Sequence, residues 1–172
     1  MEFNLLIQTR ESVRDYDPGK PLPNEVLEKI LNAVRLAPSA CNNQPWEFWV
    51  IRSQEMLEKV KACYHRQWFK DAPVIMIIVG MKDKAWVRSF DHYNSLETDL
   101  AIAMTHLILA AENEGVGACY IEAYDPSILK SALGLNDNQV VYGITPLGYP
   151  HDGVGKRNNK TRKCLEETVR YW

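Results

Sequence analysis

The chain has 172 residues, of which 46% are hydrophobic and 24% charged, and its formal net charge at pH 7 is -2. This length fits one domain with its own core, and the composition excludes a disordered chain, a collagen and a simple coiled coil. The near-neutral charge gives no electrostatic sign of nucleic-acid binding. The apolar run 74–81 is too short to cross a bilayer, and the N-terminus lacks a secretory pattern. We therefore expect a single cytoplasmic domain over residues 1–172, with no membrane partner.

In chain order, the first half predicts alternating helices and a strand. The predicted elements are a short helix over 3–9, an extended segment over 10–17, a turn at 18–19, a helix from Pro23 to about residue 37, a strand over 48–52, and a helix over 54–63 capped by Ser53. The second of these helices rests on apolar residues that recur with the helical period between Val26 and Val34.

The second half continues the alternation. Its predicted elements are a strand over 74–79 that is covered on both faces, a helix over about 99–114 ended by Gly115, a strand over 118–124, a helix capped by Asp125 and closed by Gly134, and a strand over 139–147. Interleaved strands and helices predict an α+β fold with a mixed central sheet flanked by helices. The glycine-rich loops of dinucleotide and P-loop sites are missing, as are the GxSxG and HExxH motifs.

The cysteines and histidines do not suggest a metal site. The four cysteines, at positions 41, 63, 119 and 164, form no CxxC pair and have no histidine at finger-like spacing. We read them as reduced thiols that for the most part fill buried positions. The four histidines are far apart in sequence, and we interpret His106, on the long helix, as a packing residue.

Two segments near the start could carry chemistry. If the segment 10–14 is extended, Arg10, Ser12 and Arg14 share one face, and two guanidinium groups beside a hydroxyl form a compact anion site. The alternative is that this segment is simply a charged stretch exposed to solvent.

The loop 37–46 is rich in amides and bounded by prolines, so its hydrogen-bond donors and acceptors suit the polar edge of a planar heterocycle. The alternative is that it is a turn-rich connector.

Two later segments are candidates as well. The basic run 156–163 is a solvated face, or it supplies further cations to the same anion if the chain returns to Arg10. The segment 115–122 contains two glycines, which could simply end a helix and begin a strand.

Taken in this order, these segments resemble the FMN-dependent nitroreductase family over nearly the whole chain. The resemblance rests on RESVRDYDP, LAPSACNNQPWEFWVI, DAPVIMIIVG, LILAAENEGVGACYIEAYDP and the late PLGYP followed by a basic tail. The APSxxNxQPW block is the most specific of them. The resemblance implies a nitroreductase-like α+β homodimer with two FMN sites at the shared subunit interface.

The resemblance also implies roles for individual residues. Arg10 and Ser12 would hold the FMN phosphate and ribityl chain, with Lys160 and Arg162 returning to the phosphate, and Arg14 would lie near the flavin N1 and O2 edge. The other subunit would contribute Pro38, Ser39, Ala40, Asn42 and Gln44. Gln67 would meet the pyrimidine edge, and the backbone of Ile121, Glu122 and Ala123 would meet the N5 side. No side chain is expected to act as the catalytic group, because the flavin carries the chemistry.

The implied activity is ping-pong hydride transfer from NAD(P)H through flavin N5 to a nitroaromatic, quinone or similar small aromatic acceptor. Reductive dehalogenation, flavin breakdown and a non-catalytic flavin-binding dimer remain as alternatives. Two departures from the family pattern stand out, namely Ala123 where glycine is common and the acidic Glu11 beside Arg10. The substrate lid would fall in the region 82–96, where Trp86, Phe90 and Tyr93 could stack on an acceptor or serve in packing.

Overall fold

The computed structural model describes residues 1–157 and 159–172, so Asn158 of the basic run lies outside the described residues. The α-helices are α1 (Phe3–Thr9), α2 (Asn24–Val34), α3 (Gln54–Lys61), α4 (Gln67–Asp71), α5 (Leu96–Asn113), α6 (Pro126–Leu133) and α7 (Leu165–Thr168). The strands are β1 (Trp46–Ile51), β2 (Val74–Met81), β3 (Gly117–Ala118), β4 (Gln139–Val140) and β5 (Ile144–Gly148). Short 3-10 turns lie at Ala40–Asn42 and Lys82–Lys84.

The strands form one sheet in the order β1-β2-β5-β3, with β4 also paired to β2. Trp46 lies opposite Gly80, and Val74 lies opposite Leu147. The sheet that we expected to be mixed is antiparallel in each pair that the described residues form. The connection from β1 to β2 contains two helices, α3 and α4, rather than the single crossover helix of a parallel βαβ unit.

Strand β2 is the centre of the fold, since all eight of its residues are buried. Val74, Met76 and Ile78 belong to an apolar cluster with residues of α2 and α5. Their neighbours Ile75 and Ile77 belong to a second cluster with residues of α3, α4 and α6. Successive side chains of a strand point to opposite faces, so β2 supplies both cores and helices cover both sides of the sheet. The predicted α+β fold and the two-sided burial of this strand are confirmed.

The helix boundaries follow from local capping chemistry. The Ser53 hydroxyl accepts from the Met56 amide at the start of α3, and the Asp125 carboxylate accepts from the Ser127 and Ile128 amides at the start of α6. Gly134 ends α6 with a φ of 65°, which favours glycine. These predictions are confirmed, whereas Pro23 is the N-cap of α2 rather than its first helical residue.

Two predicted strands are shorter than expected. The stretch 118–124 contributes only β3 and an isolated bridge from Ile121 to Ile144. The stretch 139–147 is divided into β4 and β5. An ideal Cβ at Gly143 would lie 2.1 Å from Cε2 of Tyr120, so the tyrosine ring occupies the space beside the backbone between these two strands.

The predicted burial of the cysteines holds for only half of them. Cys63 and Cys119 are buried, while Cys41 and Cys164 are exposed because they lie in a surface loop and in the C-terminal segment. His106 is partly buried on α5, with its ring nitrogen 3.4 Å from the carbonyl oxygen of Ala33, as a packing residue would be. Within the described residues, no helix combines the length and apolar character needed to cross a bilayer.

Candidate functional site

The segment that follows α1 is held against the sheet without joining it. The Val13 amide donates to the carbonyl oxygen of Ala118 at 2.9 Å. The buried Tyr16 hydroxyl donates to the carbonyl oxygen of Val13 at 3.0 Å. An ideal Cβ at Gly117 would lie 2.9 Å from Cγ1 of Val13, so the glycine allows this close approach. The segment that carries Arg10, Ser12 and Arg14 therefore has a fixed position.

The C-terminal segment returns to this position. Lys160 Nζ donates to the carbonyl oxygens of Ile7 (2.9 Å) and Gln8 (2.8 Å), at the end of α1. Its pKa is lowered, first by burial and then by the positive charges of Arg10 and Arg162. The structure thus brings together three cations, Arg10, Lys160 and Arg162, that come from opposite ends of the chain.

The carboxylates near these cations are engaged elsewhere. Glu112, a buried residue of α5, pairs with Lys156 and accepts from the Thr9 hydroxyl at 2.9 Å. Glu11 accepts from the backbone amide of Arg157 at 3.2 Å, and its carboxylate lies 3.9 Å from the Arg157 side chain. Glu11, the acidic residue noted beside Arg10 in the sequence, therefore has a partner of its own in Arg157.

Three positive groups thus have no directly paired carboxylate among the described residues, although Glu112 lies near enough to act on Lys160 through its charge. Within the described residues, no carboxylate lies within 4.0 Å of Arg10, Lys160 or Arg162. Like charges held together repel one another, and the repulsion is relieved when an anion binds among them. The chemistry of this donor set fits a phosphate group, which needs several charge-assisted hydrogen bonds.

Ser12 and Arg14 face a second part of the structure, around Cys119. Burial raises the pKa of the Cys119 thiol, while the charge of Arg14 and hydrogen bonds with Ser12 and Arg14 oppose that increase. Burial also raises the pKa of Tyr16, and Arg14 opposes this shift as well. Arg14 therefore lies close to Cys119 and Tyr16.

The loop 38–44 is held in an unusual backbone conformation. Cys41, Asn42 and Gln44 have φ values of 51°, 56° and 47°, in the left-handed region that favours glycine. The Ser39 hydroxyl accepts from the Gln44 amide at 2.9 Å, and the Gln44 side chain donates to Asn42. The Ala40 amide donates to the carboxylate of Asp99 in α5 at 2.9 Å. Pro38 is exposed, and Ser39 and Ala40 are partly buried.

The segment 121–123 leaves the sheet after Ile121, which is buried and exchanges backbone hydrogen bonds with Ile144. Glu122 and Ala123 are exposed. The pKa of the neighbouring Tyr120 is raised to about 12, first by burial and then by hydrogen bonding to Glu122, with Glu97 contributing as well. The backbone of Glu122 and Ala123 is therefore accessible to a ligand, beside a Tyr120 phenol that keeps its proton at neutral pH.

Gln67 is less closely connected to the other candidates. It is exposed at the first position of α4, and its side chain donates to Asp71 at 2.7 Å. Among the described residues, no hydrogen bond joins the Gln67 side chain to Arg10, Arg14 or the loop 38–44.

The region expected to hold a lid forms a hairpin-like turn. Val87 bridges to Asn94, and the Arg88 guanidinium donates two hydrogen bonds to Asp91 (2.8 and 2.6 Å) while lying 5.0 Å from the centre of the Tyr93 ring. Phe90, at its tip, is 94% exposed.

Two groups of candidate residues, the cation cluster and the loop 38–44, lie near different ends of α5. One group adjoins Glu112, through Thr9 and Lys156; the other adjoins Asp99, through Ala40. These two carboxylates are thirteen residues apart on one helix, which corresponds to about 20 Å at 1.5 Å per residue. Within one chain, the cation cluster and the loop 38–44 are therefore at opposite ends of α5.

Two residues of the site, Asp99 and Glu112, lie outside the candidate segments selected from the sequence; Asp99 accepts from the Ala40 amide, and Glu112 pairs with Lys156 of the basic run. Cys119, Lys156 and Arg157 lie inside the selected segments 115–122 and 156–163, but no individual role in the site was assigned to them from the sequence. The sequence does indicate that Asp99 lies near the start of a helix, because acidic residues shortly after a serine such as Ser95 are typical of a helix N-terminus. The pairing of Glu112 with Lys156 joins residues 44 positions apart and gives no local signal.

Comparisons with known proteins agree with this architecture. A family model described as the nitroreductase family matches residues 7–63 and 56–149. A protein of Archaeoglobus fulgidus that carries the name NADH dehydrogenase/NAD(P)H nitroreductase is 34% identical over 86% of this chain and 84% of its own length. Among solved structures, a nitroreductase family protein from Clostridium difficile 630 is 32% identical, with a TM-score of 0.91 over 99% of this chain and 98% of its own.

One further solved structure contains a cofactor. A nitroreductase-like protein from Desulfovibrio desulfuricans, in complex with FMN, is 24% identical, with a TM-score of 0.82 over 98% of this chain and 95% of its own. At that identity, the likeness shows the shared fold alone.

Proposed function

This chain belongs to the nitroreductase family, and from that premise we propose that it is an FMN-dependent oxidoreductase that works as a homodimer. The observation that carries the proposal is the cluster of Arg10, Lys160 and Arg162. These cations come from both ends of the chain, and none of them forms an ion pair with a carboxylate among the described residues. A cluster of this kind suits the phosphate of FMN.

The phosphate end of the cofactor would be bound by the N- and C-terminal segments. Arg10, Lys160 and Arg162 would neutralise the phosphate, and Ser12 would donate a hydrogen bond near the ribityl chain. Lys160 is already oriented by two backbone carbonyls, so little side-chain entropy is lost when the anion binds. The Lys156–Glu112 pair holds the C-terminal segment in place.

The ring end would need a second copy of the chain. The loop 38–44 and the cation cluster are separated by about 20 Å along α5, measured as thirteen helical residues. In a two-fold dimer, the loop of one protomer can face the cation cluster of the other, because the same surface patch occurs on both. Pro38, Ser39, Ala40, Asn42 and Gln44 would then supply polar contacts from the partner.

Exposed apolar side chains support such a dimer. Phe3 and Ile7 of α1 are 63% and 42% exposed, and Tyr171 and Trp172 at the C-terminus are almost fully exposed. If these side chains form a contiguous patch, that patch is typical of a protein–protein interface.

Bound FMN would supply the redox chemistry, accepting a hydride from NAD(P)H at N5 and passing it, by a ping-pong sequence, to a nitroaromatic, quinone or similar acceptor. The chain contributes charge and position. Arg14 would offset negative charge on the pyrimidine edge, and Gln67 would contribute an amide to that edge. The backbone of Ile121, Glu122 and Ala123 would face N5, where Ala123 restricts the approach more than the usual glycine.

The test begins with the absorbance spectrum of protein purified without added cofactor. We expect a yellow flavin band that bleaches on anaerobic mixing with NADH or NADPH and returns when the acceptor is added. Protein that neither contains flavin nor takes up added FMN would contradict the proposal. Product analysis with nitroaromatic, quinone and halogenated acceptors separates the proposed activity from reductive dehalogenation, and flavin recovery after turnover tests for flavin breakdown.

A further inference from the structure

The carboxylate of Asp99 lies where three parts of the structure meet. Its Oδ1 accepts from the Ala40 amide of the loop 38–44 at 2.9 Å. Its Oδ2 accepts from the Ser95 hydroxyl at 2.7 Å. The Ser95 amide in turn donates to the carbonyl oxygen of Trp86 at 2.9 Å, where the hairpin-like turn begins. Asp99 thus connects the loop, the turn and the first turn of α5.

Asp99 is almost fully withdrawn from water, with an exposed fraction of 2%. No cation lies within 4.0 Å of it in the described part of the chain. A buried carboxylate is costly unless it is hydrogen-bonded, so the Ala40 amide and the Ser95 hydroxyl are needed to stabilise it. The N-terminal end of α5 favours the negative charge as well. The carboxylate is therefore held in a fixed position, where it accepts hydrogen bonds from the Ala40 amide and the Ser95 hydroxyl.

The loop that it holds is strained. A non-glycine residue in the left-handed region costs about 1–2 kcal/mol, and three such residues occur within four positions, at Cys41, Asn42 and Gln44. Hydrogen bonds inside the loop from Asn42 and Gln44 to Ser39 oppose this cost. The bond from Ala40 to Asp99 ties the loop to a rigid helix, and the Asn43 side chain ties it to the carbonyl oxygen of Lys84.

From these contacts we infer that Asp99 is a positioning residue, which holds the loop 38–44 in the conformation that receives the FMN ring and couples it to the turn at 86–94. The inference rests on the proposed function, since it is the FMN site that gives the loop its role. Asp99 itself is buried behind the loop and would not touch the cofactor.

The test uses Asp99→Asn, which keeps the shape of the side chain but weakens both hydrogen bonds, and Glu25→Gln, which removes an exposed carboxylate from the first turn of α2. Hydrogen exchange of the amides at 40–44 is measured in FMN-free full-length protein, and FMN affinity is measured by titration. We expect Asp99→Asn to speed exchange in this loop and to raise the Kd for FMN about tenfold. Glu25→Gln should change neither quantity.

Several outcomes would overturn the inference. Exchange at 40–44 in Asp99→Asn that matches the parent protein would show that the carboxylate does not hold the loop. Faster exchange across the whole chain would assign Asp99 a general structural role. If Asp99→Asn does not fold, Ser95→Ala provides the comparison, with the same direction and a smaller effect expected. A parent protein that binds no FMN contradicts the proposed function, while the exchange data still decide whether Asp99 holds the loop.

Discussion

Lys160 Nζ lies 2.8 Å from the carbonyl oxygen of Gln8, although 152 residues separate the two along the chain. This contact brings the C-terminal segment to the end of α1, immediately before Arg10. It helps to join the two ends of the polypeptide at the proposed phosphate site.

Replacing Lys160 with methionine should weaken FMN binding about tenfold, because it removes one charge-assisted hydrogen bond to the phosphate. Lys163→Met, at an exposed position of the same segment, is the matched control. Flavin fluorescence titration at fixed ionic strength measures both. Equal losses in the two variants would indicate a general charge effect rather than a phosphate contact.

Sharing of the site between protomers can be tested by complementation. Arg10→Ala disables the cation cluster, and Asn42→Ala disables the loop, so each variant alone should bind FMN poorly. After equal amounts are unfolded and refolded together, half of the dimers are mixed, and each mixed dimer has one intact site. Recovery of about one quarter of the parent FMN capacity is expected for an isologous pair. No recovery would indicate that both groups act within one chain.

Arg14→Gln should lower the flavin midpoint potential by about 30 mV, equivalent to ~1.4 kcal/mol for a two-electron couple. The physical reason is that a fixed positive charge near the pyrimidine edge stabilises the reduced, more negative ring. Spectroelectrochemical titration measures the potential. Arg35→Gln, at the exposed end of α2, is the control. An unchanged potential in Arg14→Gln would place this guanidinium away from the ring.

Gly143→Ala should lower the free energy of unfolding by about 2 kcal/mol, because overpacking of a filled site forces neighbours to move. The added methyl group would meet the Tyr120 ring at 2.1 Å. Gly155→Ala is the comparison, since its Cβ would enter open space. Urea denaturation of both variants provides the measurement, and equal stabilities would show that Tyr120 moves aside freely.

The hydrogen bond between the His151 ring and Asp15 (2.9 Å) should make stability depend on pH. It raises the pKa of His151 above its ordinary value of 6.5, so its contribution is complete below that value and is lost as the pH rises through the raised pKa. The pKa of Asp15 is lowered first by the hydrogen bond from the His151 backbone amide and then by the bond from the His151 ring, so their contribution declines in strong acid. The difference in Tm between the parent and His151→Gln should be larger at about pH 5.5 than at about pH 9. A constant difference would show that the pair does not titrate as described.

Local patterns in the sequence were sufficient to place most elements. The buried strand 74–79 was visible as a continuous apolar run, and Ser53, Asp125 and Gly134 marked helix ends through capping chemistry that depends only on near neighbours. The break between β4 and β5 could not be read in the same way. At this break the Tyr120 ring lies beside Gly143, a contact between residues 23 positions apart that no local pattern indicates.

The candidate site shows a similar division. Arg10, Ser12 and Arg14 could be selected from their alternation, and the basic run could be noted, but the arrival of Lys160 at Ile7 and Gln8 is a long-range contact that no local pattern encodes. The neutralisation of Glu11 by Arg157, and the restraint of Ala40 by Asp99, likewise depend on how distant segments pack.

The helical geometry of α5 restricts the insertions and deletions that this chain can accept during evolution. The two ends of this helix hold separate contact points, Asp99 for the loop and Glu112 for the terminal segments, on one continuous rod. Inserting or deleting a single residue between them would rotate one end by about 100° relative to the other and shift it by 1.5 Å. Such a change would displace the loop 38–44 relative to the terminal segments, so the length of α5 between Asp99 and Glu112 is the less tolerant part of this chain.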